Sequence, residues 1–169
     1  MASFDLTDRV AIVTGGSDGI GKGIAIAMAE AGASIVVVAR QQQKIDAAVA
    51  EIEALGRRAI GVSVDVSDAS RIQSIVDAAM GEFGKIDILV NNAGSSWGTT
   101  FKRGLLLDLE ASDFDGAFNT NVRSQFLCGK AVVPMMQQQD GGGAIINMSS
   151  VGGQLNLVPA PTMGLYSAT

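Results

Sequence analysis

Eight residues, Thr14-Gly15-Gly16-Ser17-Asp18-Gly19-Ile20-Gly21, hold four glycines. The apolar run Val10–Val13 leads into them, and an amphipathic run follows with Ile20, Ile24, Ala27, Met28 and Ala31 on one helical face. A strand, a tight turn and a helix in that order aim backbone N–H groups and a helix N-terminus at one point, which attracts phosphate. Glycine serves there because a Cβ would obstruct both the turn and the close approach of a pyrophosphate. The spacing is Gly-x3-Gly-x-Gly rather than the Gly-x-Gly-x-x-Gly dinucleotide pattern, so taken alone it also fits an ordinary strand-to-helix connection.

Further polar residues recur along the chain: Asp65 before Val66, Asn91-Asn92-Ala93-Gly94, Asn121, Ser149-Ser150 and Tyr166. Each has a plainer reading. Asp65 could cap a helix, although Ser67 or Asp68 is better placed. Asn91 and Asn92 suit a turn. Ser150 could be a loop serine and Tyr166 a packing residue. An asparagine inside a helix is mildly unfavourable, so Asn121 asks for a reason.

The elements that must position these residues follow from hydrophobic periodicity. Strand-sized apolar runs lie near Val10–Val13, Ser34–Ala39, Ala59–Val64, Ile86–Val90 and Ala144–Met148, and helix-period runs near Ile20–Ala31, Gln42–Leu55, Ala69–Phe83 and Ala111–Met136. Ile45, Ala48, Val49, Ile52 and Leu55 form one stripe, and Ile72, Ile75, Val76, Ala79 and Phe83 another. Alternating strands and helices with continuously apolar strands predict a parallel sheet covered on both faces. Right-handed crossovers then predict a doubly wound α/β sheet of three layers in the order 3-2-1-4-5, within a single domain over residues 1–169. In such a sheet every singled-out residue except Asn121 falls at or beyond a carboxyl strand end, and Asn121 lies on a helix that could face the same crevice. Ser95–Asp108 reads as a long irregular loop lining that crevice. Gly32 and Gly56 stand where helices should stop.

Composition narrows the function classes. Twelve Lys and Arg against 17 Asp and Glu give a net charge of −5 with no basic run, which argues against a nucleic-acid partner. There is no histidine, which excludes a histidine-based triad and the common zinc sites, so no metal is expected. Cys128 is the one cysteine, which excludes an intrachain disulfide. No apolar run approaches membrane-spanning length and the first nine residues do not read as a leader, so the expectation is a cytoplasmic protein with no membrane partner.

In order, Thr14–Gly21, Asn91-Asn92-Ala93-Gly94, Asn121, Ser150 and Tyr166 within Tyr-Ser-Ala-Thr resemble the short-chain dehydrogenase/reductase family over about Val10 to Thr169. The resemblance implies a Rossmann fold and an NAD(P)(H)-dependent oxidoreductase that interconverts an alcohol and a ketone or aldehyde. It implies Tyr166 as general acid or base, Ser150 holding the same substrate oxygen and Asn121 positioning a water in a proton relay. Gly15, Ser17, Asp18, Gly19, Ile20 and Gly21 would form the pyrophosphate turn. Asp65 and Val66 would hold the adenine, and Asn92, Ala93 and Gly94 would line the ribose and nicotinamide side. NADP(H) is expected over NAD(H): the second strand ends Val38-Ala39-Arg40 with no acid for the ribose hydroxyls, and Arg40 suits a 2′-phosphate. Asp18 is a contrary sign, because NADP-preferring relatives often carry a basic residue there. The resemblance also implies a homotetramer or dimer, paired through the fourth helix with Phe114, Phe118, Val122, Phe126, Val133 and Met136, and through a helix beginning near Tyr166.

Two departures stand out. Tyr166 follows Ser150 by 16 residues, a few more than is usual in the family, with the extra length expected in Asn156–Met163. This leaves Ser149 as an alternative to Ser150. The family motif is Tyr-x3-Lys, and the sequence ends at Thr169, one position short of that lysine. The chain therefore reads as the N-terminal two-thirds of an enzyme, lacking the later strands, with its fifth strand an apolar open edge. A nucleotide-binding module without turnover is the alternative, and a hydratase, dehydratase or epimerase on the same fold is a third. The apolar Leu155, Leu157, Val158 and Met163 hint at a partly hydrophobic substrate.

Overall fold

The structure, a computed structural model, describes residues 4–98, 101–153 and 162–169. Among the described residues five strands form one sheet: β1 Val10–Thr14, β2 Ser34–Ala39, β3 Ala59–Ser63, β4 Ile88–Asn91 and β5 Ala144–Asn147. The order is β3-β2-β1-β4-β5 and every pairing is parallel, as the alternation of elements predicts. The helices are α1 Gly19–Glu30, α2 Gln42–Ala54, α3 Ile72–Phe83, α4 Ala111–Phe118, α5 Ser124–Gln138 and the short α6 Gly164–Ser167.

Strand alternation divides the core. Val10 and Ile12 of β1 pack with Ile72, Ile75 and Val76 of α3 and with Cys128 and Val132 of α5. Ala11 and Val13, pointing the other way, pack with Ala25 and Ala29 of α1 and with Ile45, Ala48 and Ile52 of α2. All of β1 is buried, because both faces of a central parallel strand are covered. The α1 side is lined by alanines, and a Cβ on Gly61 of β3 would collide with Ile45, so helices there lie close to the sheet.

Gly32 and Gly56 follow α1 and α2 with φ of 112° and 76°, the left-handed conformation that ends a helix. The stretch read as one helix over Ala111–Met136 is helical throughout but not uniform. Between α4 and α5 it passes through a π-helical turn, Asn119–Arg123. Such a turn adds a residue without breaking the axial run, so apolar periodicity does not register it. The Ser95–Asp108 loop holds a 3₁₀ turn at Leu106–Asp108, and most of Asn156–Met163, the segment expected to carry the long Ser150–Tyr166 spacing, lies outside the described residues, as does Leu155. β5 is the sheet edge among the described residues, with Ile145 and Ile146 exposed. No described helix is long and apolar enough to cross a membrane.

Candidate active site

A cavity of about 540 Å3 opens along the carboxyl ends of the strands, where the order reverses between β1 and β4. Gly15, Ser17, Asp18, Ile20 and Gly21 of the first turn line it. So do Arg40, Asp65 and Val66 at one end, and Asn92, Ala93, Gly94, Asn121, Ser150 and Tyr166 at the other. Of the residues expected to bind the dinucleotide or act in catalysis, only Gly19 is not on the wall; it adopts φ of 52° and turns the chain into α1.

The glycines act as vacated space. A Cβ on Gly21 would run into the Gly15 carbonyl oxygen and the Asn92 side-chain amide, and one on Gly15 would come within 2.8 Å of that same amide nitrogen. Asp18 caps α1, its carboxylate accepting from the Gly19 N–H at 2.8 Å. The N–H groups of Ile20 and Gly21, in the first helical turn, have no intrahelical acceptor, and both residues face the cavity. A cradle kept open by missing Cβ atoms and faced by a helix N-terminus fits the pyrophosphate of a dinucleotide.

Thr14, the first residue of the motif and given no role of its own by the sequence, holds this cradle to the opposite wall. Its hydroxyl donates to the Val90 carbonyl at 3.3 Å and accepts from the N–H groups of Asn92 and Ala93, both at 3.0 Å. The Asn92 amide donates back to the Thr14 carbonyl at 3.0 Å. The turns after β1 and β4 are thereby one unit. A hydroxyl residue at the end of an otherwise apolar strand was the available signal. Asn91 by contrast is structural, bridging to the Asn147 side chain at 2.9 Å beside it on β5.

The end of the cavity at Arg40 and Asp65 carries paired charge. Arg40 stands 3.8 Å from Asp65, whose other oxygen accepts from the N–H and hydroxyl of Ser67. The following 3₁₀ turn is capped by Asp68 instead, which removes the helix-capping reading of Asp65. Lys44, also on the wall, lies 2.6 Å from Asp18. Its hydrogen bond, then that of the Gly19 N–H, holds the Asp18 carboxyl below the usual carboxylate range. Sequence reasoning placed Asp18 here as a contrary sign for a phosphorylated ribose; Lys44, four residues after Arg40, brings a second cation to the same wall.

At the opposite end Asn121 is buried in the π-turn. Its side chain accepts from the Ser95 N–H and donates to the Ser95 carbonyl, both at 2.9 Å, and donates to the Thr169 hydroxyl at 2.9 Å. Its backbone carbonyl accepts from Gln125 at 2.8 Å, and Gln125 also donates to the Met148 carbonyl at 3.3 Å. The π-turn thus delivers an asparagine that holds the loop after β4 and the end of α6 together. Ser150 and Tyr166 meet over Gly152: a Cβ there would lie 3.3 Å from the Ser150 hydroxyl oxygen and 3.5 Å from the Tyr166 ring. Ser149 and Ser150 both line the cavity, and the Ser150 hydroxyl accepts from the Gly152 N–H at 3.1 Å. A phenol and a hydroxyl on one wall, opposite a dinucleotide cradle, can hold one substrate oxygen and exchange a proton with it.

The family model described as short chain dehydrogenase matches residues 9–169. A 3-oxoacyl-[acyl-carrier-protein] reductase of Synechocystis is 40% identical over 164 residues, which cover 96% of this chain and 63% of the reductase. A short chain dehydrogenase from Burkholderia cenocepacia, solved in complex with NADP, superposes with a TM-score of 0.85 at 38% identity, covering 96% of this chain and 63% of that one. A 7α-hydroxysteroid dehydrogenase solved with NADH and a 7-oxo bile acid superposes with a TM-score of 0.88 at 34% identity, covering 98% and 61%. The chain thus spans about three-fifths of the length of the relatives it matches.

Proposed function

This chain belongs to the short-chain dehydrogenase family, and from that premise we propose that the protein interconverts an alcohol and a ketone or aldehyde with a nicotinamide dinucleotide. The observation that carries this reading is the sharing of one cavity by the glycine cradle at one end and the Ser150–Tyr166 pair at the other. A bound nicotinamide supplies or takes the hydride that no side chain can. In the reducing direction Tyr166 donates its phenolic proton to the carbonyl oxygen, and Ser150 donates a hydrogen bond to that oxygen and fixes its position. The proton lost from Tyr166 is replaced from solvent; in the oxidising direction the phenolate takes the alcohol proton. Asn121 holds the floor of this end by fixing Ser95 and Thr169, and we assign it to position a water for the relay.

We assign the cradle to the pyrophosphate, Asp65 and Val66 to the adenine, and Asn92 to Gly94 to the ribose and nicotinamide. NADP(H) is favoured over NAD(H), because Arg40 and Lys44 bring two cations to the end where the 2′-phosphate would lie and Ala39 offers no acid for the ribose hydroxyls.

The test is a titration of the protein with NADPH and NADH, followed by an assay with a panel of ketones and alcohols. Tighter NADPH binding and cofactor-coupled turnover are expected. Tighter NADH binding overturns the cofactor assignment. Binding of neither overturns the proposed function.

A further inference from the structure

At the substrate end of the cavity the lining side chains carry no charge: Trp97, Phe101, Asn121, Gln125, Ser150 and Tyr166 are apolar or neutral. One cation stands against that wall. The Arg103 guanidinium lies over the Trp97 ring, 5.2 Å from its centroid. Its nitrogens contact the Met163 sulfur, which leads into α6 and Tyr166. A thioether is a weak acceptor and an indole face has none, so neither satisfies the planar donor fork of arginine. Among the described residues Arg103 forms no ion pair, whereas Arg9, Arg40 and Arg58 each have a carboxylate. Its side chain is exposed and free to accept one from outside.

The placement of Arg103 is built in. Asn121 holds Ser95, and the Ser95 hydroxyl exchanges hydrogen bonds with the backbone of Trp97. The Gly98 N–H donates to the Phe101 carbonyl at 2.9 Å, and the Lys102 N–H donates to the buried Asp113 at 2.9 Å. Trp97, Gly98, Phe101 and Lys102 are therefore tied in place, and the residue that fixes Trp97 belongs to the catalytic end of the cavity.

We propose that Arg103 reads an anionic group on the substrate, so that the protein acts on carbonyl or hydroxy compounds bearing a carboxylate set apart from the reacting carbon. The carboxylate takes the guanidinium edge while Trp97 supports its face. This inference rests on the oxidoreductase reading for the reaction, but not for the binding.

Trp97 is the sole tryptophan, so its fluorescence reports occupancy beside Arg103 without turnover. The probes are levulinate and its one- and two-carbon-longer homologues, each paired with its methyl ester. Wild-type protein should bind at least one keto acid saturably and about 10- to 100-fold more tightly than its ester, the range of a charge-assisted pair. Arg103→Gln should abolish that preference. Arg103→Lys, which keeps charge but not the fork, should retain part of it and guards against misfolding of the first variant. In the coupled assay the glutamine variant should raise KM for the acid and leave kcat nearly unchanged. Equal binding of acid and ester, or a preference that survives Arg103→Gln, overturns the proposal. Keto-acid binding with no NAD(P)H oxidation leaves the proposal standing and counts against the oxidoreductase reading. Oxidation equally efficient with acid and ester overturns the proposal and leaves that reading intact.

Discussion

At the scale of residues, the cavity assigns its chemistry to a small set of side chains whose removal should have separable effects. Tyr166→Phe should lower kcat by roughly 10²–10⁴-fold, the usual contribution of a general acid or base, with dinucleotide affinity nearly intact. Ser150→Ala should lower kcat less, and Ser149→Ala least, because the Ser150 hydroxyl is the one beside the Tyr166 ring. Steady-state kinetics with nucleotide titration reads all three; a phenylalanine variant at wild-type rate would make Tyr166 a packing residue. Far from the cavity, Asp87 ties the entrance of β4 to that of β1. Burial raises its pKa, but the hydrogen bonds from Arg9 at 2.8 Å and from the Val10 N–H at 2.9 Å, with Lys85 behind them, outweigh it and leave the net pKa lowered. A carboxylate with a lowered folded-state pKa stabilises the fold above its unfolded value of about 3.9, and that contribution is lost as pH falls through the folded value. Asp87→Asn should therefore cost about 1–3 kcal/mol at neutral pH and lessen the loss of stability below about pH 4. Urea melts across that range measure both.

At the scale of elements, the β1–α1 turn works because three of its glycines, Gly15, Gly16 and Gly21, have no room for a Cβ. Gly21→Ala pushes a methyl group against the Gly15 carbonyl oxygen, a backbone atom that cannot rotate aside. Overpacking of this kind costs about 1–3 kcal/mol. Because the displaced atoms form the cradle, dinucleotide affinity should also fall by roughly tenfold or more, the equivalent of about 1.4 kcal/mol. Gly23→Ala, two residues on, meets no atom within 4 Å, so it should leave affinity unchanged and, inside the helix, raise stability by up to about 1 kcal/mol. Thermal melts and a fluorescence titration of the pair separate the cradle from a general intolerance of the helix. The turn, the five strands and the first three helices were legible in the sequence, because strand length, helical period and terminal glycines are local signals. The π-turn was not, since one extra residue in a helical run leaves its apolar pattern almost intact. The anomaly of an asparagine within that run was visible, but its partners were not: Ser95 and Thr169 lie 26 and 48 residues away.

At the scale of the whole molecule, apolar surface remains that its own sheet does not cover. Of the fourth-helix residues expected to pair with another copy, Met136 is buried against α3 and the sheet, whereas Phe114, Val122 and Phe126 are exposed, with the Phe114 and Phe118 rings stacked 4.2 Å apart. We propose that this face pairs two copies. Light scattering at micromolar concentration should give a dimer or tetramer, and Phe126→Glu should shift it to monomer. A wild-type monomer would sink the proposal.

The sequence by itself determined the layered architecture, the strand order and the location of the glycine-rich turn between β1 and α1. Each follows from information carried within about a dozen neighbouring residues, namely period, turn chemistry and chirality. It also marked Asn121, Ser150 and Tyr166 as residues worth explaining. What only the tertiary structure decided is how distant segments share atoms. Thr14 bonds to Asn92 and Ala93 across 78 and 79 residues, Asp18 is neutralised by Lys44 across 26, and Arg103 spans 60 residues to Met163. No local pattern encodes such pairs, because a hydrogen bond or ion pair depends on the angstrom-scale approach of side chains. In this fold that approach is fixed by the register of parallel strands and the packing of helices on both faces of the sheet.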